Sequence, residues 1–371
     1  MIKATAEQER RWRRGWGFLR QRFGAVAGLS IVCLFYAVAI FADFLAPYDY
    51  RAQSRRELLA PPTAIHFYDE RGDWHARPFI YAQKIVDPLE RRYAEDQGRA
   101  YPLAFFTRGY SYRLLGLLTT DRHLFGLRDE GSVGAAPRVH LLGTDALGRD
   151  RLSRLLVASR FSLVVGPVGT LLASALGILL GCVAGYAGRN VEATLMRAAD
   201  TMMALPTLVL ILAARAAFPL ELPPSRAAML LITIFVAVGW AEMARLTRGL
   251  VMALRKREFV LAAESIGLTS WRVLFRHILP NAARPLVVQV TLMLPAFLLA
   301  ETSLSFLGVG LQEPEASWGN MLAAAADITL LREQPFLLLT PALAIFMFVL
   351  GAHLLTDSLK RRDADVFKNI H

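Results

Sequence analysis

Long apolar runs alternate with polar, charge-bearing segments along the chain, and six of the runs reach spanning length. They cover 25–46, 160–187, 199–217, 227–249, 283–308 and 335–357. A helix needs roughly 20 apolar residues to cross a hydrocarbon core of about 30 Å, so the pattern predicts an all-α integral membrane protein with six transmembrane helices. The period changes between 47 and 159. There, Ala64 to Tyr68 and Arg77 to Tyr81 alternate apolar and polar positions around Glu70-Arg71-Gly72-Asp73, which predicts a β-hairpin inside a small folded insert. The aromatics Trp74, Tyr93 and Tyr101 are expected in the mini-core of that insert.

Within the spans, Gly177, Gly181 and Gly185 recur every fourth residue, a spacing that lets a second backbone approach closely. Pro167, Pro206, Pro295 and Pro341 interrupt four spans. Each frees a backbone carbonyl that must be satisfied by protein or water, as around a pathway. Arg215 is expected to snorkel at the end of the third span. Asp200, Glu242 and Arg245 lie near helix ends, where solvation or pairing between helices is expected.

Composition agrees with a bilayer as solvent. The 371 residues are 54% hydrophobic with a mean hydropathy of +0.37, too apolar for a soluble domain with one core. The net charge of +11 is clustered: arginines from Arg10 to Arg22, a segment from Arg245 to Arg284, and Lys360-Arg361-Arg362 each flank a span. That distribution excludes a nucleic-acid-binding face and, by the positive-inside rule, puts both termini in the cytoplasm. The insert, a loop of roughly 100 residues with interleaved signs, escapes the rule and falls on the extracytoplasmic side. The expected layout is a basic cytoplasmic N-terminus at 1–24, a first transmembrane helix at 25–46, and an extracytoplasmic insert with an amphipathic helix at 47–159. A five-helix core at 160–357 and a cytoplasmic tail at 358–371 follow. The first apolar run is too long for a cleaved signal and reads as a signal anchor. Cys33 and Cys182 both lie in apolar runs and read as packing residues.

The most informative polar segment runs from Arg257 to Asn281. Good helix formers from Glu258 to Ile266, a Gly267 suited to a left-handed cap, Thr269 or Ser270 as a new cap, and Pro280 as a stop predict two short helices. Apolar Phe259, Ile266, Val273 and Phe275 amid Arg255, Lys256, Arg257, Arg272 and Arg276 have the pattern of a docking surface. In its order of Ala262-Ala263, Gly267, Leu279 and Pro280 the segment resembles the EAA coupling loop of binding-protein-dependent ABC importer permeases. The ending His277-Ile278-Leu279-Pro280-Asn281 is similar to the peptide and nickel branch, and Leu261 stands where that family carries Glu. Three further stretches resemble the OppC/DppC-type subunit: Arg11 to Tyr50; Leu142 to Leu155, in which Thr144 or Asp145 is expected to cap an amphipathic helix; and Glu301 to Gln312 continuing through Ser317-Trp318-Gly319-Asn320.

The resemblance implies a type I importer fold at the bacterial inner membrane. It implies a heterodimer with a second permease, two ATP-binding subunits on the coupling loop 255–281, an extracytoplasmic solute-binding protein and surrounding lipid. It also implies contact with the ATPases through Glu258, Ala262, Ala263, Gly267, His277, Leu279 and Pro280. No G-x-x-x-x-G-K-[ST] loop occurs, so ATP and Mg are expected on partner subunits, with no cofactor, metal or catalytic residue in this chain. Glu301, a carboxylate inside a span, is open to two readings, pairing with a neighbouring helix or contact with solute. Together with Ser303 and Ser305 it is a candidate for the translocation path. Oligopeptide or dipeptide is the expected cargo, with nickel or glycosides as alternatives. The rival classes are a secondary transporter, which calls for buried charge pairs or inverted repeats, and a membrane-bound enzyme, which the scattered histidines do not support.

Overall fold

The computed structural model describes residues 23–69, 72–87, 91–114, 117–127, 137–186, 188–323, 326, 331–332 and 334–368. The arginines between Arg10 and Arg22, like Glu70 and Arg71 of the hairpin turn, lie outside them. Helices α1 (Phe23–Ile40) and α2 (Ala42–Leu45) precede a β-sheet. After it come α3 (Arg151–Tyr186), α4 (Arg189–Ala204), α5 (Thr207–Ala216), α6 (Pro224–Arg255), α7 (Glu258–Ser265), α8 (Ser270–Val273), α9 (Leu279–Phe306), α10 (Trp318–Ala323) and α11 (Phe336–Lys368). Among the described residues five helices are long and apolar enough to cross a membrane, or six if one bent pair counts as a span.

That pair is the third expected span. In place of one helix over 199–217, α4 and α5 meet at 90°. Pro206 lacks an N–H and pushes the residue before it out of the helical region, and Leu205 accordingly sits at φ −102°, ψ 145°. Pro167, Pro285, Pro295 and Pro341 stay inside continuous helices. The stop expected before Pro280 does not occur either. One helical run extends from Ser270 to Phe306, because Leu274–Ile278 forms a π-turn in which the Leu279 N–H bonds the Leu274 carbonyl five residues back. Widening the ladder there makes room for the proline ring that follows. Arg215 does not snorkel: it is buried at the end of α5 and donates to the carbonyls of Phe218, Pro219 and Leu220 at 3.0–3.2 Å.

The chain divides into two compact units. One comprises the described parts of Met1–Leu34, Val164–Leu304 and Phe346–His371. Its centre is the seam between α3 and α6, where a Cβ on Gly177 would lie 2.6 Å from the Trp240 carbonyl and one on Gly181 2.5 Å from that of Ala244. The glycine spacing is thus a backbone contact, with Phe235, Met243, Ala244 and Val251 fully buried along it. Gly28 of α1 and Gly351 of α11 meet in the same manner. Cys182 is buried, whereas Cys33 is exposed on α1 and packs nothing in this chain's core.

The other unit comprises Phe35–Leu163 and Ser305–Ile345. Its sheet has the order β1-β2-β3-β4, all antiparallel, from β1 (His66–Tyr68), β2 (Trp74–Asp87), β3 (Arg92–Leu114) and β4 (Leu118–Leu127). The expected hairpin is β1–β2, with His66 opposite Phe79 and Tyr68 opposite Trp74. The 23-residue β3 serves two partners, pairing with β2 up to Pro102 and with β4 from Leu103. Trp74 is exposed, not core. Tyr93 donates to the Leu58 carbonyl at 2.7 Å, and the buried side chains of the strands are those of Phe79, Ile80, Tyr81, Tyr112 and His123.

A polar knot closes this unit. Asp150, not Thr144 or Asp145, caps α3: its Oδ2 accepts from the Ser153 N–H at 2.7 Å and the Ser153 hydroxyl at 2.6 Å. Asp145 instead holds the N–H groups of Leu147 and Arg149 and the Arg149 side chain, which also reaches Glu313. With its end capped at Asp150, the helix starts at Arg151, and the expected amphipathic piece is its first turns. The other Asp150 oxygen lies 2.8 Å from His140 Nδ1, and Glu57 approaches Nε2 at 3.6 Å. Burial lowers the imidazole pKa, but the two carboxylates outweigh it and raise it to about 9.

A folded pKa above the unfolded value of about 6.5 means that the stabilisation is complete below pH ~6.5 and lost as pH rises through about 9. In thermal unfolding scans His140→Gln is expected to fall furthest below the parent protein near neutral and acidic pH, with the gap closing above pH ~9. A gap independent of pH would remove the charged imidazole from the account.

Candidate functional site

The segment between α6 and α9 is built outward from a greasy knot. Val260 and Ala263 of α7 and Val273, Leu274 and Ile278 of the following helix pack on Cys182 of α3 and Val251 of α6, all buried. Leu268 and Leu279 close the edge of that cluster. Gly267 makes the turn at φ +84° with nothing near its missing Cβ, so here glycine is required by backbone conformation, not by space. Thr269 takes the N-cap position of α8, yet its hydroxyl makes no capping bond.

What faces outward is apolar. Phe259 is 42% exposed, Leu261 53%, Ile266 77%, Trp271 63% and Phe275 56%, and the Trp271 and Phe275 rings stack at 5.3 Å and 9°. Val273, expected on this face, points inward, since α8 presents Trp271 and Phe275 four residues apart and turns the residue between them to the core. Leu261 and Trp271 join the surface instead; the Trp271–Phe275 spacing was the available signal. Arg255 also leaves the expected basic rim, lying over the Tyr186 ring at 4.5 Å and donating to the Gly185 carbonyl at 3.2 Å.

The residues of the coupling pattern divide between these two sides. Ala263 is buried and Leu279 and His277 are partly buried, while Glu258, Ala262, Gly267 and Pro280 are exposed. Beside His277, the Asn281 side chain donates to its carbonyl at 2.6 Å.

A second feature of the same unit is a cavity of about 510 Å³ between α4–α5, α6 and α9. Met202, Met203, Thr207 and Leu208, on either side of the Pro206 break, line it with Phe297 and Ser303. Its polar spot is Glu242, whose Oε1 accepts from Gln289 Nε2 at 2.9 Å. Next to it on α6, Arg245 pairs with Asp200 and Arg248 with Glu192, both of α4.

Comparison with known proteins bears on this pair of features. Residues 177–362, which contain the seam, the helical hairpin of α7 and α8 and the cavity, match the family model described as the binding-protein-dependent transport system inner membrane component. The chain belongs to the binding-protein-dependent transport permeases. Residues 10–62 of this permease match the N-terminal transmembrane domain of oligopeptide transport permease C. It is similar to the oligopeptide transport system permease protein OppC of Bacillus subtilis, 34% identical over 68% of this chain and 76% of the relative. The dipeptide permease protein DppC of the same organism is 36% identical over 60% and 67%. The probable D,D-dipeptide permease protein DdpC of Escherichia coli is 36% identical over 60% and 72%. The permease is a multi-pass membrane protein of the OppC/DppC type and a transport subunit, not an enzyme.

Of the path candidates, Ser303 lines the cavity and donates to the Leu299 carbonyl at 2.8 Å. Glu301 is fully buried and is not part of the cavity lining. Ser305 is buried in the other unit, where its hydroxyl accepts from the Leu311 N–H at 3.3 Å. Nearby, Ser317 and Asn320 cap α10 reciprocally, at 3.0 and 3.1 Å, and Trp318 donates its ring N–H to the Leu155 carbonyl. That stretch, read from resemblance alone, therefore has a structural task. No local pattern joins Glu242 and Gln289, which lie 47 residues apart on two spans.

Proposed function

We propose that the permease is one of two membrane subunits of an ATP-driven, binding-protein-dependent importer of oligopeptides or dipeptides. In this reading it forms a heterodimer with a second permease, and two ATP-binding subunits, which hold ATP and Mg, clasp 255–281. Both termini and the helical hairpin lie in the cytoplasm of a cell bounded by this inner membrane, a reading that the positive charge flanking the spans supports. The insert lies outside and receives a solute-binding protein. The peptide cargo rests on the names of the relatives above.

The observation that carries the reading is the outward apolar face of the hairpin, from Phe259 to Phe275, mounted on a buried knot that includes α3 and α6. Five large apolar side chains at a membrane-proximal surface call for a protein partner. Their attachment to two spans gives that partner a rigid handle on the bundle, so closure of the ATPases moves the helices as bodies. Coupling resides in packing and not in any reacting side chain.

The test is co-purification of an ATPase with the tagged permease from mild detergent, with and without Ala263→Glu. The parent is expected to retain the ATPase and the variant to lose it, since a charge at that buried position costs several kcal/mol unless the knot opens. Absence of any ATPase from the parent preparation would end the importer reading. For the insert, charge-reversing substitutions on its exposed strands are expected to weaken capture of the binding protein; unchanged affinity would leave the insert as a cover over the outer mouth.

A further inference from the structure

The cavity beside the helix break is lined by a carboxylate, Glu242, that forms no ion pair among the described residues. Glu242 is exposed on the wall of that cavity, and a carboxylate on a spanning helix is ordinarily matched by a positive partner. The arginines nearest to it on α6 are occupied, Arg245 by Asp200 and Arg248 by Glu192. Gln289, the partner of Glu242, is neutral; it donates one hydrogen bond at 2.9 Å and fixes the carboxylate at the cavity wall. The rest of the wall is soft and apolar, with Met202, Met203, Leu208 and Phe297 around a space of about 510 Å³. Methionine linings adapt to varied shapes, and Pro206 breaks the wall where membrane transporters tolerate irregular backbone around a solute.

We propose that this cavity is a cation-selecting station on the passage and that Glu242, positioned by Gln289, meets a protonated amine of the passing solute. The inference rests on the permease reading and deepens it. The solute class is one that carries a positively charged amine on an otherwise adaptable body: the carboxylate supplies the single fixed charge contact, and the methionine wall accepts what is attached. A solute lacking that charge leaves Glu242 unmatched and is disfavoured.

The test uses the full importer in membrane vesicles, with Cys33 and Cys182 replaced by alanine and a reporter thiol introduced as Leu292→Cys on the cavity wall, one helical turn from Gln289. Its labelling rates with a trimethylammonium-ethyl and a sulfonato-ethyl methanethiosulfonate are compared with those of a free thiol in solution. The cationic reagent is expected to be favoured about tenfold over that reference, because one carboxylate attracts one probe and repels the other. E242Q is expected to return the ratio to the reference, E242D to preserve it, and Gln289→Leu to reduce it. A ratio unmoved by E242Q overturns the proposal. So does a reporter inert to both reagents in vesicles but reactive after denaturation, the result expected if the second permease covers this wall. The labelling ratio is read independently of ATPase co-purification, so failure of the subunit reading and failure of the selecting station are told apart.

Discussion

Ile266→Asp is expected to leave the permease folded and to strip it of its ATPase. Ile266 is the most exposed large apolar residue of the hairpin and stands just before the Gly267 turn, outside the buried knot. A charge there disturbs nothing within the chain, yet it enters the centre of the surface that a partner must cover. Losing an apolar anchor and desolvating a carboxylate at such a site costs about 2–4 kcal/mol, a fall in affinity of about 30- to 1,000-fold. The measurement pairs the ATPase-to-permease ratio after purification with the thermal stability of the permease alone. Retention of the ATPase by Ile266→Asp would show that this face is not the docking surface. Comparison with Ala263→Glu is informative, because that variant is expected to lose both stability and partner, whereas Ile266→Asp loses the partner only.

Gly181→Leu is expected to have the largest effect on the bundle itself. The added side chain has no space to relax into: its first carbon would meet the Ala244 carbonyl at 2.5 Å, the Thr247 side chain at 2.6 Å and the Arg248 amide at 3.1 Å. Backbone on an adjacent helix does not yield as a flexible side chain does, so α3 and α6 must separate. Overpacking of a tight core costs about 1–3 kcal/mol or more. Gly249→Leu, on α6 with nothing within 4 Å of its missing Cβ, is the control and should be neutral or slightly stabilising through helix propensity. Monodisperse size-exclusion behaviour on heating is the readout. Equal stability of the two variants would mean that the seam is loose in the membrane.

Residues that speak through local spacing were legible in the sequence. The apolar runs, the Gly177-Gly181-Gly185 seam, the turn at Gly267 and the β1–β2 hairpin all depend on periods of two to four residues, or on one backbone angle. What failed depended on competition. At Pro206 a single proline divided an expected span into α4 and α5, while Pro280 was absorbed by a π-turn; the two sites differ in whether the preceding turn can widen. Asp150 took the cap position from Thr144 and Asp145 because both of those were already engaged, Thr144 with the Ala60 N–H and Asp145 with Arg149. Trp74 looked like core by its type, but strand register put Phe79, Ile80 and Tyr81 inside. The cavity was legible only in Ser303 and in the charge of Glu242, since it joins residues from four helices whose spacing along the chain is arbitrary.

The knot around His140 also fixes the topology of the insert. Thr63 and His140 bond each other twice, through the Thr63 N–H to the His140 carbonyl at 2.8 Å and the His140 N–H to the Thr63 hydroxyl at 3.0 Å. The polypeptide thus leaves and re-enters at one stapled point, and the strands between are tied back a second time where His123 Nδ1 meets the Asp43 carbonyl at 3.0 Å. Such a stem lets evolution lengthen, shorten or exchange the turns between the strands while the points of entry and exit keep their own geometry.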